Sequence, residues 1–287
     1  MQLKERSERH SQESSLCAAS KWLANWVEQL AVPRNFWAEA YANRRIGSLI
    51  ATALADWGYT VLLQGDYRNI VALPANSPDR NLVLIGAHYD SVPHSPGADD
   101  NASGVAVLLL CAQALAKQSL QVGFVAFNAE EDNLLGSRDF VSNGLKQLQI
   151  RPGLVHVLEM VGFRSYQAGS QRVPLNWLAK RFPVGDFIGI VGNRQAGRAI
   201  NQILQSSALP SPRCVTLRQW IPLTEWLPDL RRSDHFPFWE SQIPALLWTD
   251  TAEFRTPHYH RTSDLPETLD YEFMAEVANL LLASLLP

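Results

Sequence analysis

The chain has 287 residues, of which 46% are hydrophobic and 18% charged, and its formal charge is −3. That length suits one large α/β domain or two small ones with a sizeable core, and this much apolar material excludes a solvated, disordered coil. The near-neutral balance removes the electrostatic case for nucleic acid or an anionic membrane, both of which need a basic face.

Residues 11–31 are predicted to form an amphipathic helix, because Leu16, Ala19, Leu23, Trp26, Val27 and Leu30 recur at spacings of three and four until Pro33. A second helix is expected from about Trp37 to Trp57, with Tyr41, Leu49, Ile50 and Leu54 inward and Gly58 at its end. The period then shifts. Residues 59–63 and 69–73 are short, β-rich segments joined through Gly65-Asp66 as a hairpin. Strands follow at Leu82–Ala87, Val122–Phe127, Leu154–Leu158, Phe187–Val191 and Ala245–Trp248. Helices are expected between and after them, at 101–117, 134–148, 194–207 and 271–286. Continuous apolar strands separated by helices point to α/β architecture, a three-layer α/β/α sandwich with a mixed, mostly parallel central sheet. We expect one domain over residues 1–287, with loop excursions near 162–185 and 209–233 walling a site.

No apolar run reaches the roughly 18 residues of a membrane span. The first fifteen residues carry charge with no apolar stretch behind them, and Cys17, Cys111 and Cys214 form no Cys-x-x-Cys pair. A cytoplasmic protein without a disulfide framework, a thiolate zinc site or a membrane partner is the expectation. The oligomeric state is not legible.

The chemical signal lies just beyond the strands, where open α/β sheets gather their ligand-binding groups. After the strand at 82–87 come His88, Asp90 and Asp99-Asp100-Asn101. After 122–127 come Glu130, Glu131 and Asp132, and after 154–158 comes Glu159. After 245–248 come Asp250 and His258-Tyr-His260, and none of these strand-end residues is Lys or Arg. Crowded carboxylates repel one another, and a bound cation resolves the repulsion. Mixed imidazole and carboxylate donors favour zinc over magnesium or calcium, with cobalt or manganese as alternatives. Two histidines and several acids suit two metals about 3.5–4 Å apart that share a carboxylate. Taken singly, each residue has an ordinary structural reading, such as Asp100 and Asn101 capping the next helix. Agreement at four strand ends favours the metal.

The chain resembles the co-catalytic di-zinc aminopeptidases, the family of the secreted bacterial leucyl aminopeptidases, with glutaminyl cyclases as distant relatives. The resemblance rests on Gly86-Ala-His-Tyr-Asp-Ser91, Gly97-Ala-Asp-Asp-Asn-Ala-Ser-Gly104, Asn128-Ala-Glu-Glu131 with Leu135-Gly-Ser137, Ser233-Asp-His235 and Tyr259-His-Arg-Thr-Ser-Asp264. It implies that His88 ligates one zinc and His260 the other, with Asp100 bridging and Glu131 joining His260. It further implies Glu130 as general base, Asp90 as the acceptor that orients His88, and Tyr259 as the group that steadies the oxyanion. His258 is expected to be a supporting or structural residue. The substrates implied are peptides with a free N-terminus.

One departure stands out. The family usually has Asp after the third buried strand, whereas this chain has Leu158-Glu-Met-Val-Gly162. Glu159 can ligate, but its extra methylene shifts the carboxylate and predicts a weaker His88 site. The rival readings are a single-zinc glutaminyl cyclase, a small-amide hydrolase and a non-catalytic interaction domain. Cyclases of this type carry Trp before the last histidine ligand, where this chain has Tyr259. Trp177, Trp220, Trp226 and Trp239 are candidates for an apolar substrate pocket.

Overall fold

In a computed structural model, which describes residues 2–75, 81–172, 181–206, 212–218 and 227–285, a central sheet separates two hydrophobic layers. Period-two alternation explains both. In strand β2 (Asn69–Leu73), Ile70 and Ala72 face one layer and Val71 and Leu73 the other. The remaining strands are β1 (Thr60–Gln64), β3 (Asn81–His88), β4 (Val122–Phe127), β5 (Arg151–Glu159), β6 (Phe187–Gly192), β7 (Arg213–Arg218) and β8 (Ala245–Thr249). Among the described residues they form an eight-stranded sheet in the order β1-β2-β4-β3-β5-β8-β6-β7. The centre, β4-β3-β5-β8, is parallel, while β1, β2 and β4 pair antiparallel and β6 runs antiparallel to β8. The sandwich architecture is as expected.

One layer contains helices α1 (Gln2–Leu30), α2 (Ala40–Asp56) and α3 (Gly104–Leu115). Two further helices, α5 (Gly197–Gln205) and α7 (Tyr271–Leu285), complete it. The opposite layer is thinner. It comprises α4 (Leu135–Asp139), continued by a wider turn through Gly144 to Gln147, and the short α6 (Phe236–Glu240). No helix among the described residues is long and apolar enough to cross a membrane.

Four expectations need correction. Helix α1 begins at Gln2, well before residue 11, because its polar first half carries helix-forming residues but no apolar stripe to read. Tyr41 is 81% exposed, and α2 instead buries Asn43, Ile46, Gly47, Ile50 and Leu54. The α3 helix starts at Gly104, because Asp100 and Asn101 leave helical dihedrals. Part of the supposed excursion at 209–233 is the edge strand β7. Its alternation is weak because only one edge is paired and most of its side chains are half-buried or exposed. Of the candidate pocket tryptophans, 177, 220 and 226 lie outside the described residues. Trp239 is a buried core residue that donates to the Ala245 carbonyl.

His156, on β5, accepts a hydrogen bond at Nδ1 from Trp248 Nε1 (3.1 Å), and burial holds its pKa down to about 3. The imidazole is therefore neutral when folded but protonates near pH 6.5 once unfolded. Its contribution to stability is present above the unfolded value and is lost as pH falls from about 6.5 toward 3. We expect His156→Gln, which keeps an acceptor for Trp248, to flatten this acid slope by up to about 1.4 kcal/mol per pH unit. Urea midpoints measured across that window check it, and an unchanged slope would refute the assignment.

Candidate active site

Strand β3 ends in His88, which is 1% exposed. Gly97 starts the next essential turn. Its φ of +58° and a Cβ position only 2.2 Å from the Asp100 carbonyl oxygen admit little besides glycine. That turn delivers Asp100 between two imidazoles. Its Oδ1 lies 3.3 Å from His88 Nε2 and its Oδ2 lies 3.2 Å from His260 Nε2.

Each imidazole faces a second acid. Glu159 Oε2, at the end of β5, is 3.4 Å from His88 Nε2, and Glu131 Oε2, beyond β4, is 3.3 Å from His260 Nε2. Glu130 Oε2 stands further off, 3.9 Å from His88 Nε2. Within the cluster, His88–Asp100–Glu131 and His88–Glu130–Glu159 each have donor atoms within 4.8 Å of one another.

The donors fit zinc. Ligand atoms about 2.0–2.2 Å from a tetrahedral zinc lie roughly 3.4 Å apart, and the imidazole–carboxylate separations of 3.2–3.4 Å match that edge. His88 Nε2 and Glu131 Oε1 are buried without a hydrogen-bond partner. Such atoms are costly to bury without a partner, and a metal supplies one.

The electrostatics also favour positive charge here. Burial opposes protonation of His88, but Glu130, Glu159, Asp100 and Asp90 together hold its pKa well above the usual imidazole range. Burial likewise opposes charge on His260, yet Asp100 and Glu131 raise it to about 10. Burial, reinforced by Glu159, Glu131 and Asp234, raises Glu130 well above the carboxylate range against the pull of His88. Glu131 is pushed up to about 7 by burial and then by Asp100.

The supporting residues explain the geometry. Asp90 lies 3.5 Å from His88 Nδ1 and also accepts the backbone N–H groups of Glu130 (3.1 Å) and Glu131 (3.2 Å). It therefore ties the end of β3 to both glutamates. Asp264, last in its motif, accepts the backbone N–H groups of Asp99 (2.8 Å) and Asp100 (3.1 Å). Ser233 donates to Glu159 Oε2 (2.7 Å) and fixes the longer side chain in place. Tyr259 stacks on His260 at 3.8 Å, and its hydroxyl accepts from Arg232 (2.8 Å).

Several similar residues do not join the cluster. Asp250 and Asp99 pair behind it and accept backbone N–H groups of Gly162, Phe163 and Ala252. His258 bonds Ser263 (3.0 Å), as befits a structural histidine, and Asp132 belongs to neither donor set.

Sequence reasoning missed Arg34. This residue, 1% exposed, follows α1 and donates to the carbonyls of Tyr89 (2.7 Å), Gly97 (2.9 Å), Val32 (3.1 Å) and Pro96. Burial lowers its pKa to about 10 against the pull of Asp90, Asp264, Asp100 and Glu131. No periodicity or spacing flags a side chain whose partners are backbone carbonyls, three of them 55 or more residues along the chain.

Beside Glu159 and Tyr259 opens an apolar chamber of about 270 Å³. Phe182, Phe187, Val191, Leu217, Leu247 and Phe254 form much of its wall, so both supposed excursions contribute to it.

Across residues 69–285 the sequence matches peptidase family M28. The chain belongs to that family. This M28 peptidase is 37% identical over 229 residues to the uncharacterized protein YfbL of Escherichia coli (strain K12), covering 75% of this chain and 69% of that one. It is 30% identical over 225 residues to aminopeptidase YwaD of Bacillus subtilis (strain 168), covering 76% of this chain but 44% of the relative. The zinc aminopeptidase BSAP from B. subtilis is similar in structure, with TM-score 0.54 and 28% identity over 75% of this chain and 48% of that one. Two more distant structures share the fold. The Legionella pneumophila LapA aminopeptidase has TM-score 0.72 and 17% identity, covering 96% of this chain and 74% of that one. Tannerella forsythia glutaminyl cyclase has TM-score 0.63 and 18% identity, covering 93% and 97%.

Proposed function

We propose that this M28 peptidase is a zinc-dependent aminopeptidase with two metal positions sharing Asp100. The observation that carries the reading is the placement of Asp100 between His88 and His260, each imidazole facing a further acid. His88, Asp100 and Glu159 would hold one ion, and His260, Asp100 and Glu131 the other. When bound there, zinc would supply a Lewis acid able to polarise the scissile carbonyl and to make the attacking water more acidic.

Glu130, the acid set furthest from His88, takes the proton from that water and returns it to the departing amine. Arg232 donates to the Tyr259 oxygen, which leaves the phenolic hydrogen to meet the carbonyl oxygen as negative charge develops. Asp90 keeps Glu130 and Glu131 in register through their backbone N–H groups. The substrate's ammonium is drawn to the acids around His88, and its first side chain enters the apolar chamber. The names of YwaD and BSAP as aminopeptidases support this reading.

The test is a matched set of unblocked and N-acetylated peptides analysed by mass spectrometry with zinc present. Loss of single N-terminal residues from the unblocked set alone is expected, and equal loss from acetylated peptides would contradict it. The fold shared with a glutaminyl cyclase over 97% of that chain favours a second reading. Ammonia loss from N-terminal Gln peptides, with no residue released, would establish it.

A further inference from the structure

Two cavities meet at Glu159, Arg232 and Tyr259. One is the apolar chamber; the other, of about 300 Å³, contains the reacting groups. Its lining is polarised. Asp100, Glu130, Glu131 and Glu159 gather around His88 and His260. Arg138 and Arg231 gather instead around the Phe236 ring, 6.0 and 5.9 Å from its centre.

The arginines of this cavity are not equivalent. Arg138 is neutralised by Glu240 (2.8 Å). Arg232 is held by Asp229 (3.1 Å), Glu253 and the Tyr259 hydroxyl (2.8 Å). Arg231 lines the cavity, packs over Phe236 and has no carboxylate partner among the described residues. A guanidinium in that state is a ready receptor for a planar carboxylate, which it can grip with two parallel hydrogen bonds.

The geometry points to di- and tripeptides with a free C-terminal carboxylate as the preferred substrates, received at that end by Arg231. The inference rests on the aminopeptidase reading above. A substrate whose ammonium lies among the acids sends its remaining chain through this cavity toward the arginines. Each extended residue spans at most about 3.3–3.6 Å, so a carboxylate two or three residues along lies only about 7–11 Å from the amine. A cavity of 300 Å³ is at the small end of ligand sites. Longer peptides present a neutral amide where Arg231 waits and forgo that ion pair.

The experiment compares kcat/KM for Leu-Gly, its C-terminal amide, and a ten-residue peptide beginning Leu-Gly, using zinc-supplied wild-type enzyme and Arg231→Gln. Arg231 is exposed, so the variant is expected to fold, and circular dichroism checks this. The wild type should prefer the carboxylate dipeptide over its amide by about tenfold or more, and in the variant that ratio should fall toward one. Arg231→Lys should recover part of the ratio as a point charge without the two-pronged grip. Equal wild-type rates on dipeptide and amide would overturn the inference while leaving the aminopeptidase reading intact. A ratio unchanged in Arg231→Gln would also overturn it, by removing Arg231 from the recognition of the carboxylate. Failure to cleave any of the three peptides would overturn the aminopeptidase reading and this inference with it.

Discussion

Replacing Glu130 by Gln is expected to lower kcat by about 10²–10⁴-fold, the usual contribution of a positioned general base. The substitution preserves size and removes the one property the step requires, a carboxylate that can accept and return a proton. Each factor of ten corresponds to about 1.36 kcal/mol in the barrier. Metal content should not change, because Asp100, Glu159 and Glu131 lie closer to the imidazoles than Glu130 does. Nor should KM move far, since the effect belongs to the chemical step. Steady-state kinetics alongside elemental analysis of the purified variant check both halves. A variant retaining kcat within threefold of wild type would remove Glu130 from proton transfer.

The second large effect is expected from Arg34, which lies before the segment matched to the family yet holds the loops that carry the site. Arg34→Met fills much of the volume but strands the carbonyls of Tyr89, Pro96 and Gly97 in the interior. It also withdraws the buried positive charge facing Asp90, Asp264, Asp100 and Glu131. Each buried carbonyl left without its donor costs about 1–3 kcal/mol, several kcal/mol over the three. That is a large fraction of the 5–15 kcal/mol typical of a folded domain. Arg34→Lys should recover only part of the loss, because one ammonium cannot span carbonyls that the planar fork reaches together. Urea unfolding checks this prediction. A midpoint for Arg34→Met indistinguishable from wild type would show that the loops hold themselves.

Much of this architecture is written in local patterns. Continuous apolar runs mark β3, β4, β5 and β8, and chemistry-bearing residues at their ends identify His88 and Glu159. Here short-range pattern and long-range placement agree, because a buried parallel strand is apolar throughout and its carboxyl end opens on the crevice. Separating residues of like chemistry is harder. Asp250, Asp132 and His258 occupy positions as suggestive as those of the cluster, but the fold turns them elsewhere or to backbone partners. Motif resemblance, not periodicity, distinguished Asp100 from Asp99.

Other features leave no local trace. Arg34 acts on main-chain carbonyls, Ser233 acts on a glutamate 74 residues away, and Arg232 reaches Tyr259 across 27 residues. The Glu159 substitution reads as a displaced ligand in the sequence. The fold places its Oε2 3.4 Å from His88 Nε2, comparable to the 3.3 Å of Asp100, with Ser233 fixing it there. Strand β7 was illegible for a different reason. An edge strand with one paired side has little burial to impose alternation.

One digest followed through three states of the same enzyme preparation tests whether the cluster around Asp100 works through a metal. A mixture of unblocked peptides is incubated with zinc-loaded protein, with protein stripped by a chelator, and with stripped protein returned to zinc. Stepwise loss of N-terminal residues is expected in the first state, none in the second and recovery in the third. Undiminished cleavage by the stripped protein would contradict this, because the donors around Asp100 would then have no part in the reaction.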